Sequence, residues 1–336
     1  MKLGPFRLRT LLLWLLVPVP AVMMGLQRPQ TINAGVRIID IIAAVPEAGG
    51  FQPDSIDVRA GETVLLRFYA ADVAHGIAIG PGLGVDLGDA APGTRKDVLL
   101  TFEEAGTFTF YCNKWCSTNH WRMRGVIAVT GGSQAPPAPQ RDPVIDALLA
   151  EGIDIDAMVD AAHGSQPAPA ATLATTPPSA ARGALLAERL QVPADLREKA
   201  WQRTHTPQAG MALLLAANPA SQPQELADAI AYLWVAGSEP ANLQDAGTLY
   251  TKNCAACHGD NGGGDGIGAG TLPQPPPSFQ DPAHMAARRG DVLYAKIRRG
   301  GMGTGMPNFG TVFTTDETWA LVDHLWKLAF DAPVHQ

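Results

Sequence analysis

The most informative stretch of the chain reads TFTFYCNKWCSTNHWRM and runs from Thr107 to Met123. Its first four residues alternate threonine with phenylalanine, a pattern typical of a β-strand with one buried face. The stretch also contains two thiols, an imidazole and a thioether, which belong to Cys112, Cys116, His120 and Met123. These soft groups suit copper. The stretch therefore predicts a copper site on a loop that leaves the end of a strand.

Short runs of alternating or β-branched residues surround this stretch between residues 36 and 130. They read VRIIDII, TVLLRFY, HGIAIG, DVLLTF and GVIAV, and turns rich in glycine, proline and aspartate separate them. Several short strands at this spacing predict an antiparallel β-sandwich or barrel. We therefore expect an all-β domain over residues 36–130.

A second imidazole for copper is available from His75, in the sequence DVAHGIAIG. A mononuclear site of the blue-copper type needs one cysteine, two histidines and a weak methionine. Cys116, Met123 and the two histidines already supply that set. Cys112 is therefore the discriminating residue, because two thiolates can bridge two metal ions. The structural alternatives are a disulfide between Cys112 and Cys116 and a zinc site.

A second cysteine pair belongs to the sequence CAACH, residues 254–258. In the attachment pattern of c-type haem, two thiols form thioether bonds to the porphyrin and the adjacent imidazole ligates iron. Here those groups belong to Cys254, Cys257 and His258. The alternatives are a zinc knuckle and a disulfide.

The sequence GMPNF, residues 305–309, offers the thioether of Met306 as a second axial ligand, and Met302 is the competing sulfur. Ligation by histidine and methionine raises the reduction potential of the iron. Residues 242–331 resemble a class I cytochrome c, since a helical pattern leads into CAACH and another helix is predicted to begin near Thr315. The resemblance implies an all-α domain with Met306 as the axial ligand. We interpret His284 and His324 as surface or packing residues.

Composition narrows the classes of function. The chain has 336 residues, a formal net charge of −7 and four cysteines. This length suggests two or three domains. The mild acidity argues against a nucleic-acid partner, which usually meets a concentrated basic face. Four cysteines are too few for a disulfide scaffold of this size.

The N-terminus has the pattern of an export or anchor segment, residues 1–30. Lys2, Arg7 and Arg9 precede an uncharged, largely apolar stretch that extends to Gln27. A bilayer span needs ~20 apolar residues, so this stretch is at the short limit for a transmembrane helix. We expect an uncleaved anchor rather than a removed signal helix. The basic residues then stay in the cytoplasm, which places the following domains on the periplasmic or outer face of the inner membrane.

Two regions separate the β domain from the predicted cytochrome domain, residues 240–332. Residues 131–183 are dense in proline, alanine, serine and threonine, a composition typical of linkers. Residues 184–238 show helical periodicity, and QELADAIAYLW within them resembles DETWALVDHLW near the C-terminus. One hypothesis is a degenerate cytochrome-like region without a CxxCH motif. The alternative is an amphipathic helix that packs on the haem domain.

The stretch from Ile38 to Val129 resembles the binuclear copper (CuA) domain of subunit II of haem-copper oxidases, which also occurs in nitrous oxide reductase. The shared pattern is DVAHG, then GVDLGDAAPG, then Cys-x3-Cys-x3-His-x2-Met. The resemblance implies a cupredoxin Greek-key sandwich. It also implies two bridging thiolates, one capping histidine for each copper, and weak ligation by a thioether and a backbone carbonyl. The corresponding residues are Cys112, Cys116, His75, His120, Met123 and Lys114.

The order of the two domains resembles a subunit II of haem-copper oxidases that carries its own cytochrome. The resemblance implies electron transfer from an external cytochrome or small copper protein, through one covalent haem c and CuA, to a membrane-embedded catalytic subunit. By itself the chain would transfer electrons and catalyse nothing else. The alternatives are an independent periplasmic or membrane-tethered carrier and the CuA subunit of a nitric oxide reductase. A self-contained nitrous oxide reductase is disfavoured, because only eight histidines are present.

Three features depart from the usual subunit II. The sequence offers at most one membrane helix where two are common. The segment AAVPEAGGFQPDS has no tryptophan or tyrosine, so the aromatic electron-entry patch of the family has no counterpart. Lys114 replaces a carboxylate that helps to bind an interfacial metal in A-type oxidases. These departures leave the copper ligands intact but change the expected route of electron entry.

Overall fold

A computed structural model describes residues 36–131, 141–155, 176–238, 240–301 and 303–331. The predicted anchor, residues 1–30, lies outside these ranges, as do residues 132–140 and 156–175 of the predicted linker. Within the described ranges, no helix has the length and apolar character needed to cross a membrane.

The first part of the chain is a β-sandwich. One sheet has the strand order β2-β1-β4-β7 and the other has the order β3-β9-β8-β5-β6. Within residues 36–131 the strands are β1 Arg37–Ala43, β2 Phe51–Gln52, β3 Ser55–Arg59, β4 Thr63–Ala70, β5 His75–Gly80, β6 Val85–Ala90, β7 Arg95–Thr101, β8 Gly106–Tyr111 and β9 Arg124–Thr130. The predicted runs all form strands.

The sheets differ from the expected antiparallel arrangement in two pairings. Strand β1 pairs with β4 in parallel, and β3 pairs with β9 in parallel. These partners are parallel because the chain crosses to the opposite sheet between them, instead of turning back through a hairpin. Strands β2, β3 and β6 were not predicted, and each lies at an edge of its sheet.

The core of the sandwich follows from alternation along its strands. In β4 every second side chain is buried, and Phe68 of that strand lies within it without exposed surface. Its ring meets those of Phe51 and Phe110 edge-on, with centroids 5.1–6.0 Å apart among the three rings. Edge-to-face packing of aromatic rings adds to the stabilisation from burial. This core supports the inner ends of the strands that carry the metal-binding residues.

The second part of the described chain is helical. Its helices are α1 Pro143–Ala150, α2 Ala180–Arg189, α3 Lys199–Thr204, α4 Pro207–Ala217, α5 Pro223–Ala236, α6 Pro240–Asn253, α7 Ala255–His258, α8 Pro282–Ala286, α9 Gly290–Arg299 and α10 Thr315–Phe330. Helix α10 begins where the sequence predicts, because Thr314 and Glu317 form a capping box there.

Helix α1 is a correction to the predicted linker of residues 131–183. The carboxylate of Asp142 caps this helix by accepting hydrogen bonds from the backbone of Val144 and Ile145. The same side chain accepts a hydrogen bond from Tyr294 Oη of α9, at 2.8 Å. Proline-rich flanks hid this helix in the sequence, although Asp-Pro is a common helix start. The start of α2 also lies within the predicted linker.

Residues 184–238 pack on the C-terminal helix. Helix α5 contacts α2, α4 and α10 and is buried on most of its surface. Lys199 forms a salt bridge of 2.9 Å with Asp323 of α10, and the Arg203 guanidinium lies 4.2 Å from the ring centre of Trp319. These contacts fit the amphipathic-helix alternative. Both α5 and α10 begin with a capping box, which accounts for part of their similarity in sequence.

The sandwich and the helices lie in one compact unit that begins at Arg37. Ala78 and Tyr111 of the sandwich belong to the same buried apolar cluster as the helices. At Gly80, a Cβ atom would lie 2.2 Å from the carbonyl oxygen of Val312, so a side chain there would collide with helical-domain backbone. The two parts are therefore closely packed where strands β5 and β8 meet the helices.

Candidate metal centres

The predicted copper ligands come together at one end of the sandwich. His75 begins β5, and the loop between β8 and β9 carries the others. Cys112 Sγ lies 3.9 Å from His75 Nδ1, and Cys116 Sγ lies 3.6 Å from His120 Nδ1. Cys116 Sγ is also 3.8 Å from Met123 Sδ. The donor atoms of His75, Cys112 and Cys116 all lie within 4.8 Å of one another, close enough to hold metal.

Lys114 enters this site through its backbone. Its carbonyl oxygen lies 3.2 Å from Cys112 Sγ. Its ammonium instead forms a salt bridge with Asp89. A lysine is therefore compatible with a metal site here, because only its carbonyl oxygen lies among the ligands.

Asp72 is a residue of the site that sequence reasoning missed. Its carboxylate oxygen lies 2.7 Å from His75 Nε2, which leaves the other ring nitrogen directed at Cys112. Partners of this kind orient a metal-ligating histidine and raise its basicity. Burial disfavours the imidazolium, but contacts with Cys112 and Asp72 prevail and raise the pKa of His75. The Asp-x-x-His spacing in DVAHG was the available signal.

The two thiols affect each other's ionisation. The contact with Cys116 outweighs burial and lowers the pKa of Cys112 below its ordinary value. The contact with Cys112, together with burial, raises the pKa of Cys116 above its ordinary value. One thiolate therefore forms readily and opposes the second, unless a cation neutralises both. Both cysteines are free thiols in the structure, so the predicted disulfide alternative is not seen.

The predicted haem ligands line a cavity of about 400 Å³. Helix α6 ends at Asn253, and the short helix α7 carries the CAACH residues. Cys254, Cys257 and His258 lie in the cavity wall, and Met306 lines the same space. Met302 lies outside the described residues. His324 packs against the Tyr250 ring at 5.1 Å, whereas His284, interpreted from the sequence as a surface or packing residue, also lines the cavity.

The surroundings of His258 fit an iron ligand. Burial lowers the pKa of His258 to about 4, which keeps the imidazole neutral as metal ligation requires. Its ring stacks on Phe279 at 4.8 Å, and its Nδ1 is buried without a hydrogen-bond partner in the described structure. Tyr250 Oη donates to the carbonyl of Gly259 at 2.9 Å and so holds the end of the CAACH turn. The cavity and the unpaired imidazole are what a c-type haem would use.

Hydrogen bonds within the loop hold Met306 in position. Gly301 N donates to the carbonyl of Met306 at 3.1 Å, and Met306 N donates to Thr304 Oγ1 at 3.2 Å. Gly305 has a φ of 83°, a left-handed conformation that favours glycine. This turn places the thioether in the cavity wall.

The copper and haem clusters share that wall. Trp115, His120 and Met123 of the loop between β8 and β9, and Arg124 at the start of β9, line the same cavity as the predicted haem ligands. Arg124, which follows Met123 directly, donates to the carbonyl of Asn308 in the methionine turn and lies 5.2 Å from the ring centre of Phe309. Sequence reasoning did not find this interface, because it joins residues far apart in the chain.

Comparisons with known proteins find similarity to a cytochrome family and to an oxidase subunit. A family model described as cytochrome C oxidase, cbb3-type, subunit III, matches residues 241–325. A cytochrome c oxidase subunit 2 of Thermus thermophilus is 32% identical over 83 residues, which cover 24% of this chain and 59% of that protein. The chain thus combines similarity to a cytochrome c oxidase subunit 2 with similarity to a cytochrome family over residues 241–325. A second subunit 2 from Thermus thermophilus has the same identity, over 48% of its length. The match thus spans about half the length of these curated relatives.

Solved structures similar to part of the chain include copper proteins and oxidases. A heme-copper terminal oxidase dimer is 26% identical with a TM-score of 0.26, over 30% of this chain and 68% of that one. The periplasmic domain of subunit II of cytochrome oxidase from Bradyrhizobium japonicum is 21% identical with a TM-score of 0.24, over 29% of this chain and 85% of that one. The clustered thiols, imidazoles and thioether of the sandwich suit copper, and the cytochrome family model over residues 241–325 implies haem.

Proposed function

We propose that this chain is the electron-input subunit of a respiratory haem-copper oxidase and carries covalent haem c and binuclear CuA. One observation carries the proposal. The copper ligands His120 and Met123 line the same cavity as the haem ligands His258 and Met306. A chain that places two redox sites against each other is suited to pass electrons between them.

In this proposal the copper loop holds CuA. Cys112 and Cys116 would supply the thiolates shared by the copper pair, and His75 and His120 would supply one imidazole each. The thioether of Met123 and the carbonyl of Lys114 complete the set. The short distances among these groups support the assignment. The buried sandwich keeps the ligands in place in both redox states.

The cytochrome domain holds the haem. Cys254 and Cys257 would form the thioethers, and His258 and Met306 would ligate the iron. When bound, haem and copper would each supply a one-electron couple, so that an electron could pass between the two sites without any bond being made or broken. The ring of Phe279 stacks on the imidazole of His258 and covers one of its faces.

The remaining steps involve partners. An external cytochrome or small copper protein donates to the haem, and a membrane-embedded haem-copper subunit accepts from CuA. We place both domains on the periplasmic face of the inner membrane, with residues 1–30 as the anchor. Reduction of oxygen belongs to the membrane subunit, because each assigned ligand of this chain is committed to an electron-transfer centre.

A membrane-tethered carrier is the second candidate. It is favoured by the segment AAVPEAGGFQPDS, which has no tryptophan or tyrosine for the usual donor surface. An attached haem would make that donor surface unnecessary, so the same observation is compatible with the oxidase subunit. The two candidates differ in whether a catalytic subunit accompanies the chain.

The test is purification of the chain from its native membrane in mild detergent. We expect one haem and two coppers per chain, a co-purifying multi-helix haem protein and oxygen consumption by the complex. The matched control is the Cys112→Ser chain, which should recover the same complex without the CuA signal. Recovery of the metallated chain alone would contradict the oxidase subunit and support the carrier. Consumption of nitric oxide but not oxygen would identify the nitric oxide reductase alternative.

A further inference from the structure

We propose that the indole of Trp115 is the bridge that carries electrons from the haem-attachment loop to the copper loop. The proposal rests on the proposed function and names a residue that ligates neither metal. The step it serves is the one-electron transfer defined above, in which no atom or proton moves.

Trp115 lies inside the copper loop. It separates Lys114 from Cys116, and its half-buried ring lies 5.8 Å from the ring of His120, at an interplanar angle of 50°. The indole is thus attached to one copper ligand through the backbone and faces another through space. Electrons that arrive at this ring have a short route to either ligand.

The far edge of the same ring lies against Gly268, whose backbone is hydrogen-bonded to the haem-attachment loop, residues 254–258. A Cβ atom on Gly268 would lie 2.6 Å from Trp115 Cη2, 2.7 Å from its Cζ3 and 3.2 Å from the carbonyl oxygen of Ala256. Gly268 N donates a hydrogen bond of 2.7 Å to that same carbonyl. Ala256 lies between Cys254 and Cys257. The contact therefore joins the segment between the copper cysteines to the segment between the haem cysteines.

A glycine is needed at position 268 because the ring occupies the space of a side chain. The backbone itself does not require glycine, since Gly268 has a φ of −88°, which any residue adopts. Direct van der Waals contact is lost when a gap opens, and a gap of an ångström already forfeits much of it. Glycine at this position lets the indole and the haem loop meet without a gap.

Two polar contacts hold the loops together around the indole. Lys252, two residues before Cys254, forms a salt bridge with Asp86 of β6. Asn113, the neighbour of Cys112, donates to the same carboxylate at 3.2 Å. These contacts form a second connection between the loops, made of hydrogen bonds. Trp121 also lines the cavity, but the Arg122 guanidinium lies over its ring, 4.8 Å from the ring centre.

The test measures single-turnover transfer in the fully metallated chain without a catalytic subunit or oxygen. A photochemical reductant delivers one electron to the haem, and absorbance follows haem oxidation and copper reduction. We expect Trp115→Leu to slow this phase by roughly tenfold, about 1.4 kcal/mol in activation free energy. Trp115→Phe should fall between Trp115→Leu and the wild type. The haem spectrum, copper spectrum and both potentials should be unchanged.

A glycine pair tests the contact without altering the indole. Gly268→Ala should slow the transfer by displacing the ring. Gly270→Ala is the matched control, because nothing lies within 4 Å of a Cβ atom at Gly270. In the metal-free chain, hydrogen exchange should rise in residues 112–120 for Gly268→Ala and stay at the wild-type level for Gly270→Ala.

The outcomes separate this proposal from the proposed function. A wild-type chain that shows no transfer from haem to copper would contradict the proposed function itself. Wild-type transfer that proceeds equally fast in Trp115→Leu, Trp115→Phe and Gly268→Ala, with equal potentials, would overturn the role of Trp115. Slowing in Asn113→Ala but not in the Trp115 variants would assign the route to the hydrogen-bonded connection.

Discussion

The two candidate centres are prepared for their metals in different ways. In the copper site the donor atoms already lie within 3.2–3.9 Å of a neighbouring donor. In the haem site the ligands face a cavity of about 400 Å³. The strand-and-loop framework therefore assembles the copper site from groups of the protein itself, whereas the haem must fill much of the second site. Loss of each cofactor should accordingly have different consequences for stability.

The largest expected effect is loss of the haem. The double variant Cys254→Ser/Cys257→Ser cannot form thioethers, so the cavity stays open among the helices. We expect the free energy of unfolding of the helical part to fall by roughly 4 kcal/mol, in the range of large core truncations. Thermal unfolding by circular dichroism and a haem assay would measure this. A copper spectrum that disappeared together with the haem would contradict separate preparation of the two sites.

Loss of the copper bridge should follow a different pattern. Cys112→Ser should abolish the mixed-valence copper signal in electron paramagnetic resonance and leave the haem spectrum unchanged, because only one thiolate remains. Thermal unfolding of the helical part should stay near the wild-type value. An unaltered copper signal would refute the bridging role of Cys112.

Substitution of Met306 and of Met302 tests which of the two sulfurs ligates the haem iron. Met306→Ala should lower the haem potential, because a weaker or different ligand replaces the thioether. Redox titration of the haem band would measure the shift, with Met302→Ala as the matched variant. A drop in potential in Met302→Ala alone would reverse the axial assignment.

Substitution of Asp72, the hydrogen-bond partner of His75, tests whether its carboxylate orients the imidazole for copper. Asp72→Asn keeps the shape of the side chain but removes the charge beside the imidazole. Variants of such partners cost about 10- to 100-fold in metal affinity. Copper affinity by competition with a chelator would show the change. Asp89→Asn is the control, since Asp89 pairs with the ammonium of Lys114 and should leave affinity unchanged; equal losses in both would contradict the orienting role.

The smallest expected effect is at the salt bridge between Lys252 and Asp86. Both side chains are partly exposed, at 40% and 34%. Pairs of this kind contribute about 0–1 kcal/mol. Lys252→Ala should therefore lower the free energy of unfolding by less than about 1 kcal/mol and leave both spectra unchanged. A denaturant titration would measure it, and a loss as large as that of the haem-free variant would contradict a minor role.

Local sequence patterns predicted those structural features that depend only on residues close together in the chain. The strand before Cys112, the CAACH segment and the helix that begins near Thr315 all follow from short motifs, and the structure places them where the sequence indicates. The residues that form each of these features are close together in the sequence and stay close together in the structure, so the features can be predicted from a single sequence. The same holds for the copper loop, whose four side-chain ligands lie within twelve residues.

Contacts between distant residues could not be predicted in this way. The meeting of Trp115 with Gly268, and of Arg124 with Asn308, depends on how two folded parts pack. Helix α1 was hidden because proline-rich composition on both sides outweighed a short apolar run. The parallel pairings of β1 and β3 depend on crossings between sheets, which strand patterns alone do not specify.

The central claim is that the copper and haem sites lie against each other in one chain. The most direct measurement is the electron spin relaxation of the oxidised copper centre with ferric haem present. The account predicts markedly faster copper relaxation in the wild type than in the haem-free Cys254→Ser/Cys257→Ser variant. Equal relaxation rates in the two proteins would contradict it, because a paramagnetic iron at the shared wall must act on the copper spin.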